Sequence, residues 1–375
     1  MKIAHLADLH IGRKFGTYDL IDDQRKMLQQ ILQIMKDEAV ETVMIAGDIY
    51  DKTNPSEQAF SLWNDFLTAL EAEDFNVLII SGNHDSAERL GLGSGIFRKR
   101  NIHIVSNFTK DIEKVTLADE FGPINFYLLP FIKPSYVRNH HESFTQRTYQ
   151  EAVAFLLNRI EINKDERNIL MAHQFVIANQ KEPRLSDSEV GQQLGGLESV
   201  DAALFDDFDY VALGHIHKPQ AMGKQTVRYS GSMLKYSFSE VNDVKSLPIL
   251  DYKETLEINR IPLIPEKDVR VIEGPFDKLI EEAKKAPSHD LIHAIITDET
   301  PPYDPINMLR MYYPNALTLE LKNSQTEQTM ILEKAENVLE KSDIELFNDF
   351  FELQNGRSMN EEEENYLTEI MEALL

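Results

Sequence analysis

Imidazole, carboxylate and amide side chains follow directly after five apolar segments of this sequence. They are Asp8, His10, Asp48, Asn83, His84, His173, His215 and His217. Asp8 and His10 are two residues apart, as are His215 and His217, so in extended backbone each pair points to one side. Imidazole and oxygen ligands without sulfur favour manganese, iron or zinc over calcium and magnesium. The pattern predicts a metal site.

The number of these residues indicates two metal ions, because eight ligand-type side chains are too many for one. Such a site needs a carboxylate that can bridge the ions, and Asp48 is the candidate. Metals about 3.5–4 Å apart can hold the attacking and leaving oxygens of a phosphoryl displacement. They also lower the pKa of bound water towards neutrality. This chemistry predicts a hydrolase that acts at phosphorus.

The apolar segments that must position these residues are typical of a parallel sheet. Residues 2–7, 41–46 and 77–80 are predicted strands, and helical spacing fills 19–38 and 56–71 between them. This βαβαβ order predicts parallel strands with right-handed crossovers. Ligands gather outside the carboxyl ends of such strands. Gly82 follows the third strand, where we expect it to permit a sharp turn.

The remainder of the first 255 residues continues the same pattern. Further strands are predicted at residues 124–129, 168–172, 209–213, 227–229 and 247–252. We interpret the glycine-rich residues 91–95 as a flexible loop, and the polar residues 181–199 as a long loop over the site. The sequence contains no P-loop motif, so ATP binding of that type is not expected.

Composition limits the classes of function. The chain has no cysteine, which excludes disulfides, thiolate zinc sites and a cysteine nucleophile, and which fits a cytoplasmic protein. We expect no signal peptide and no membrane association, because the chain has no sufficiently long apolar run. The net charge of −25 repels nucleic acid as a whole. Any contact with nucleic acid must be local, assisted by metal, or supplied by a partner.

Five motifs, in the order DLH, GDIYD, GNHD, a histidine after a strand, and GHIHKP, resemble the calcineurin-like metallophosphoesterases. Longer stretches, GDIYDKTNPS, GGLESVDAALFDDFDYVALGHIHKPQ and RYSGSMLKYSFSE, are similar to the nuclease subunits of bacterial SbcCD complexes. The close likeness covers residues 1–255. It implies an α/β metallophosphoesterase sandwich of β-sheets flanked by helices, with a small α+β capping domain and a C-terminal helical tail.

The resemblance also implies roles for individual residues. It assigns one metal to Asp8, His10, Asp48 and His217, and the other to Asp48, Asn83, His173 and His215. His84 then faces the scissile phosphate as a transition-state stabiliser or as the acid for the leaving oxygen. The neighbouring Asp85 is expected to orient its imidazole. Archaeal relatives carry a histidine where this chain has Asp51, which we expect to hold a metal ligand instead.

The activity implied is that of a metal-dependent DNA nuclease in repair and recombination, with manganese as the most favoured metal. It combines a 3′-5′ double-strand exonuclease with a single-strand and hairpin endonuclease. The implied partners are DNA and an SbcC-like ATPase of the SMC type, while a homodimer stays open. Two alternatives remain: another calcineurin-like phosphoesterase, such as a phosphatase or cyclic-nucleotide phosphodiesterase, or a non-catalytic scaffold for the ATPase.

The predicted domains are a metallophosphoesterase domain (1–265), a capping domain (266–325) and a C-terminal helical segment (326–375). In the capping domain we predict strands at 268–273, 291–297 and 316–321, with helices at 275–286 and 305–313. The last segment carries apolar stripes at helical spacing, within 338–351 and 366–374. These stripes pack back on the body of the protein or bind the base of the ATPase coiled coil.

Overall fold

The structure is a computed structural model that describes residues 1–189, 198–300, 302–323, 351, 359 and 363. Its strands are β1 (Lys2–Leu6), β2 (Lys14–Phe15), β3 (Tyr18–Asp19), β4 (Thr42–Ala46), β5 (Asn76–Ile80), β6 (Ile102–Val105), β7 (Glu113–Asp119), β8 (Gly122–Leu129), β9 (Arg167–His173), β10 (Phe175–Ile177), β11 (Ser199–Asp201), β12 (Tyr210–Gly214), β13 (Gln220–Met222), β14 (Lys224–Tyr229), β15 (Ser246–Tyr252), β16 (Leu256–Pro262), β17 (Val269–Gly274), β18 (Leu291–Ile296) and β19 (Ala316–Leu321). Its α-helices are α1 (Ile21–Asp37), α2 (Glu57–Ala72), α3 (Ala87–Leu90), α4 (Ser94–Phe97), α5 (Pro134–His140), α6 (Tyr149–Leu157), α7 (Phe276–Lys285) and α8 (Pro305–Arg310). None of the helices within these ranges is long and apolar enough to cross a bilayer.

The first sheet has six strands in the order β16-β15-β1-β4-β5-β6. Strands β1, β4, β5 and β6 are parallel, as the βαβαβ pattern predicts. Strand β15 joins the other side of β1 antiparallel to it. The central strands are continuous apolar runs because both faces of this sheet are covered.

The second sheet also has six strands, in the order β13-β14-β12-β9-β8-β7. Strands β8, β9, β12 and β14 are parallel, while β7 and β13 are antiparallel edge strands. Helix α6 begins with a capping box in which Thr148 and Glu151 satisfy each other's backbone amides, so its start is fixed by local sequence.

Three apolar layers hold the two sheets and the helices together. Ile3, Met44 and Leu78 of the first sheet pack with Phe126 and Met171 of the second in one buried cluster. A second cluster joins the first sheet to α1 and α2, and a third joins the second sheet to α5 and α6. The predicted sandwich of sheets flanked by helices is therefore confirmed.

The two sheets approach each other closely where β4, β9 and β12 end. A Cβ atom built on Gly214, the last residue of β12, would lie 1.9 Å from the Ala46 carbonyl oxygen and 2.7 Å from His173 Nδ1. Real Cβ atoms do not approach backbone so closely. Because position 214 has no side chain, the strand ends of both sheets can pack against each other here.

The chain divides into two compact units. One comprises Met1–Val271, Pro287–His293 and Tyr313–Leu317; the described residues of Ile272–Ala286, Ala294–Tyr312 and 318–323 belong to the other. Strands β17, β18 and β19 form a three-stranded sheet in that order. These strands and helices α7 and α8 occur where the sequence predicted them, within a few residues. The domain boundaries at 265 and 325 stay predictions.

Some expectations differ from the structure or lie outside it. The interpretation of residues 91–95 as a flexible loop was incomplete, because α3 ends at Leu90 and α4 begins at Ser94 after a short turn. Of the predicted loop 181–199, residues 190–197 lie outside the described residues, and β11 begins at Ser199. The apolar stripes of 338–351 and 366–374 also lie outside them, apart from Phe351.

We predict that Gly214→Ala destabilises the protein by about 2 kcal/mol or more. The new methyl group would clash with the backbone carbonyl of Ala46, which is fixed within its strand. Thermal or urea unfolding measures the effect. Gly95→Ala is the matched control, because a Cβ there has nothing within 4 Å and lies in a helix that favours alanine. Equal stability of the two variants would contradict the close approach of the sheets.

Candidate metal centre

The loops after β1 and β4 run side by side and are joined through their backbones. The Asp8 amide donates to the Gly47 carbonyl at 3.1 Å, and the His10 amide donates to the Asp48 carbonyl at 3.0 Å. Asp8, His10 and Asp48 all have left-handed backbone, with φ of 53°, 43° and 52°. This conformation is unfavourable for residues with a side chain and is concentrated at functional sites. Here it turns three side chains towards one point.

Asp48 lies at the centre of the resulting group. One ligand atom each from Asp8, His10 and Asp48 lies within 4.8 Å of the others. Asp48 Oδ2 is 3.6 Å from His10 Nε2 and 3.4 Å from His173 Nε2. His217 Nε2 lies 3.0 Å from His10 Nε2. The Asp48 carboxylate therefore stands between two imidazoles, where a ligand shared by two ions is expected.

The second predicted ligand set surrounds Asn83. Its Oδ1 atom is 3.1 Å from His173 Nε2 and 2.9 Å from His215 Nδ1. The Nδ1 of His173 lies 2.7 Å from the Ala46 carbonyl and donates to it, because a carbonyl can only accept. That bond leaves His173 Nε2 to face Asp48 and Asn83. Burial opposes the charged form of His173, but the Asp48 carboxylate outweighs it and raises the pKa to about 9, so a metal at Nε2 would displace a proton.

The electrostatics of the group fit divalent cations. Burial lowers the pKa of His10 and His217 well below the usual range, and that of His215 to about 3, so these imidazoles are neutral and keep a lone pair. Burial, with a contribution from Asp48, raises the pKa of Asp8 to about 8. The buried Asp8 Oδ2 has no hydrogen-bond partner among the described residues. Buried carboxylates beside neutral imidazoles are a donor set that suits a metal.

His84 lies beside this group and faces an open cavity. Its backbone amide donates to Asp48 Oδ1 at 2.9 Å, and its Nδ1 donates to the Asp51 carbonyl at 2.9 Å. Its ring meets the His10 ring edge-on at 4.9 Å. The cavity measures about 1170 Å³ and is also lined by Arg13 and Lys52. His84 is thus held in place by backbone while its ring borders the space open to a substrate.

Asp85 makes hydrogen bonds to the backbone of the neighbouring loops. Its carboxylate accepts from the backbone amides of Gly82 (2.9 Å), Ile49 (3.2 Å) and Tyr50 (3.0 Å). These loops leave three buried amides in need of an acceptor, and Asp85 satisfies them. Asp85 therefore shapes the loops that carry Asp48. The Nδ1 of His84 donates to the Asp51 carbonyl, and a role of Asp85 in orienting that imidazole stays a prediction.

The side chain of Asp51 is placed near a predicted ligand. Its Oδ1 accepts from Arg13 Nη1 at 3.1 Å and lies 3.9 Å from His10 Nδ1. His10 Nδ1 is buried and makes no hydrogen bond to the described residues. At 3.9 Å, the Asp51 carboxylate lies beyond hydrogen-bond distance of this imidazole.

Glycine is required at position 82 because Asp48 lies so close to it that a side chain would not fit. The φ of Gly82 lies outside the left-handed region, and the chain bends at residues 83–85 directly after it. A Cβ there would lie 2.0 Å from Asp48 Oδ1 and 2.4 Å from the Asp48 amide nitrogen. The absence of a side chain at Gly82 lets the Asp48 carboxylate occupy its central position.

Sequence reasoning missed the residues that support His217. Ser188 Oγ lies 2.9 Å from His217 Nδ1, and Glu189 Oε1 accepts from the His217 amide at 2.7 Å. Behind them, buried Lys245 donates to the His217 carbonyl at 2.8 Å and to Glu240 Oε2 at 2.6 Å. Such residues carry no motif, because tertiary contacts alone bring them to the ligand.

Two further residues hold the loop that carries His10. Gln24 on α1 donates from Nε2 to the His10 carbonyl at 2.8 Å, and its Oε1 accepts from the Gly12 amide at 2.9 Å. The Tyr236 hydroxyl donates to the Leu9 carbonyl at 2.5 Å. Tyr236 lies in a stretch already singled out in the sequence, but only the fold reveals its contact.

The chain is similar to known proteins over most of its length. Residues 1–219 match the family described as calcineurin-like phosphoesterase, and residues 265–355 match the type 5 capsule protein repressor C-terminal domain. The chain is 35% identical over 325 residues to the SbcD component of the nuclease SbcCD of Staphylococcus epidermidis, covering 85% of each chain. Among solved structures it is similar to a dimetal phosphatase from Danio rerio (12% identity, TM-score 0.42, 70% of this chain and 96% of that one). The likeness to TT1561 of Thermus thermophilus is comparable (12% identity, TM-score 0.40, 69% and 98%).

We predict that Ser188→Ala weakens metal binding by about tenfold or more, because His217 loses the group that fixes its tautomer. Calorimetric titration of the metal-free protein with manganese measures the change. Ser61→Ala, on the exposed face of α2, is the control and should bind as the unaltered protein does. Unchanged affinity in Ser188→Ala would show that Ser188 does not support a metal ligand.

Proposed function

Because this chain belongs to the family of the SbcD components of SbcCD nucleases, within the calcineurin-like phosphoesterases, we propose that it is a metal-dependent nuclease that hydrolyses DNA phosphodiesters. The predicted family resemblance is confirmed. The observation that carries the proposal is the convergence of Asp8, His10 and Asp48, whose ligand atoms lie within 4.8 Å of one another.

We propose two divalent ions, manganese for preference, with Asp48 as the shared ligand. Asp8, His10 and His217 complete one ligand set, and Asn83, His173 and His215 complete the other. When bound, such ions polarise the phosphoryl oxygens and lower the pKa of bound water. The neutral state of three of the four buried imidazoles supports this assignment, because a protonated imidazole cannot be a ligand.

His84 is proposed to act on the substrate and not to bind metal. The Nδ1 of His84 donates to the Asp51 carbonyl at 2.9 Å and so fixes the ring beside the predicted metal ligands. When protonated, Nε2 donates to a phosphoryl oxygen or transfers a proton to the leaving 3′-oxygen. The backbone amide of His84, bound to Asp48 Oδ1, keeps this ring at a fixed distance from the metal ligands.

Basic residues near His84 support the binding of DNA phosphates at this cavity. The cavity beside His84 is lined by the basic residues Arg13, Lys14 and Lys52. Arg13 also pairs with Asp51, so its charge is partly neutralised. On a chain of net charge −25, such a local basic surface gives phosphates a place to bind near the metal ligands.

We further propose the biological setting that the family relation supports. The chain acts in the cytoplasm with an SbcC-like ATPase in DNA repair and recombination, as exonuclease and hairpin endonuclease. Residues 1–265 carry the chemistry, 266–325 form a capping domain that controls access of DNA, and 326–375 bind the ATPase.

A digestion assay tests the proposed activity against that of a phosphatase. With manganese, the protein should cleave end-labelled duplex and hairpin DNA and release little phosphate from a simple monoester. Excess EDTA should abolish cleavage, and added manganese should restore it, because the bound ions are what activates the attacking water. Full activity in EDTA, or hydrolysis of the monoester alone, would contradict the proposal.

Substitution separates His84 from the metal ligands. His84→Ala should lose about 100-fold or more in cleavage while it keeps its metal, since a proton donor is removed but no ligand. Asp48→Ala should lose metal as well as cleavage, because the shared ligand is removed. Metal analysis of the two purified proteins gives the answer. Metal loss in His84→Ala would make His84 a ligand.

Truncation tests the proposed partner segment. Deletion of residues 326–375 should spare manganese-dependent cleavage of short DNA and abolish co-purification with an SbcC-like ATPase, because the apolar stripes predicted there are removed. Co-purification followed by the digestion assay measures both properties. A truncated chain that still assembles would place the partner elsewhere, and an insoluble one would show that the stripes pack on the body.

A further inference from the structure

A second cavity, of about 560 Å³, is lined by residues outside the predicted ligand set. It lies among the segment 178–184, the hairpin of β13 and β14, and Arg260 on β16. Strands β13 and β16 are edge strands of the two sheets. Five of the described lining residues are cationic (Lys181, Arg184, Lys218, Arg228 and Arg260), while Glu182 alone among them carries a carboxylate. This balance is opposite to that of the whole chain, whose net charge is −25.

Arg228 is the most informative of these residues, because it is only 5% exposed. Its Nη2 donates to Gln225 Oε1 at 2.8 Å, and its Nε has no hydrogen-bond partner among the described residues. Burial, with a smaller contribution from the like charge of Arg260, lowers the pKa of Arg228 from its usual value. Because Arg228 has no carboxylate partner among the described residues, its buried positive charge is one that an anion in the cavity would stabilise.

The other cationic residues leave the cavity positive. Within the part of the chain that the structure describes, Arg184, Arg260 and Lys181 form no ion pair, whereas Lys218 pairs with Asp243 at 2.5 Å. The cavity wall is also firmly built. Gln220 accepts from the Arg184 amide at 2.9 Å and donates to the Arg184 carbonyl at 3.0 Å. Arg184 is therefore tied to the hairpin that carries Arg228.

We propose that this cavity binds a phosphate group. Guanidinium groups hold phosphate through paired, charge-assisted hydrogen bonds, and neighbouring arginines without carboxylate partners are the arrangement that such a ligand stabilises. The phosphate comes from a nucleic-acid backbone or from a free phosphate ion. Because none of the lining residues is a predicted metal ligand, the proposal does not depend on the nuclease activity.

The test measures phosphate binding at the cavity in matched variants of the full chain. Arg260→Gln and Arg184→Gln each remove one cationic group without emptying the buried interior. Lys224→Gln is the control, because it removes one charge from the same hairpin, outside the cavity, where Lys224 pairs with Asp206. Inorganic phosphate is titrated by calorimetry, and a short single-stranded oligonucleotide is titrated by anisotropy at several salt concentrations in EDTA. Unfolding curves verify that each variant is folded.

We expect the two arginine variants to lose about tenfold in affinity and the control to be unchanged. If the loss affects the oligonucleotide, and the salt dependence of its binding falls by about one phosphate contact, the ligand is a nucleic-acid backbone. If the loss affects inorganic phosphate alone, the ligand is a free phosphate. Both results support the cavity as a phosphate site. Equal binding by arginine variants and control, for both probes, would overturn the proposal, and the digestion assay remains independent of it.

Discussion

The site depends on keeping the carboxylate of Asp48 ionised although the side chain is buried. Asp48 is 2% exposed, and burial by itself would favour the protonated form. The charged imidazole of His173 makes the largest opposing contribution, and the pKa of Asp48 stays well below the usual range. The backbone amide of His84 adds a hydrogen bond to Oδ1. A negative charge is thereby maintained between the two predicted ligand sets, where it attracts cations.

Much of the surrounding structure serves to make room for that carboxylate and to fix it. Gly82 leaves the space that Asp48 occupies, and Asp85 satisfies the amides of the loops on either side. The left-handed backbone at Asp8 and Asp48 is unfavourable in isolation, and Gln24 holds the neighbouring loop in place through two hydrogen bonds. The apolar clusters fix the two sheets. Polar contacts then position the loops that follow the strand ends.

The sequence predicted what depends on local pattern. Apolar runs such as 77–80 are recognisable as buried strands, and parallel strands must bring their carboxyl ends to one edge. The partners of individual polar groups could not be predicted in this way. The three amides that Asp85 binds carry no sequence signal, and the pair of Glu240 and Lys245 supports His217 from distant segments. Such contacts depend on which buried groups the completed fold leaves unsatisfied.

Anomalous X-ray diffraction from crystals of the manganese-loaded protein would show whether Asp48 is shared by two ions. Data collected on either side of the manganese absorption edge locate each ion without reference to activity. We expect two peaks, one on each side of the Asp48 carboxylate, with His10 beside one and His173 beside the other. A single peak, or peaks that do not contact Asp48, would contradict this expectation.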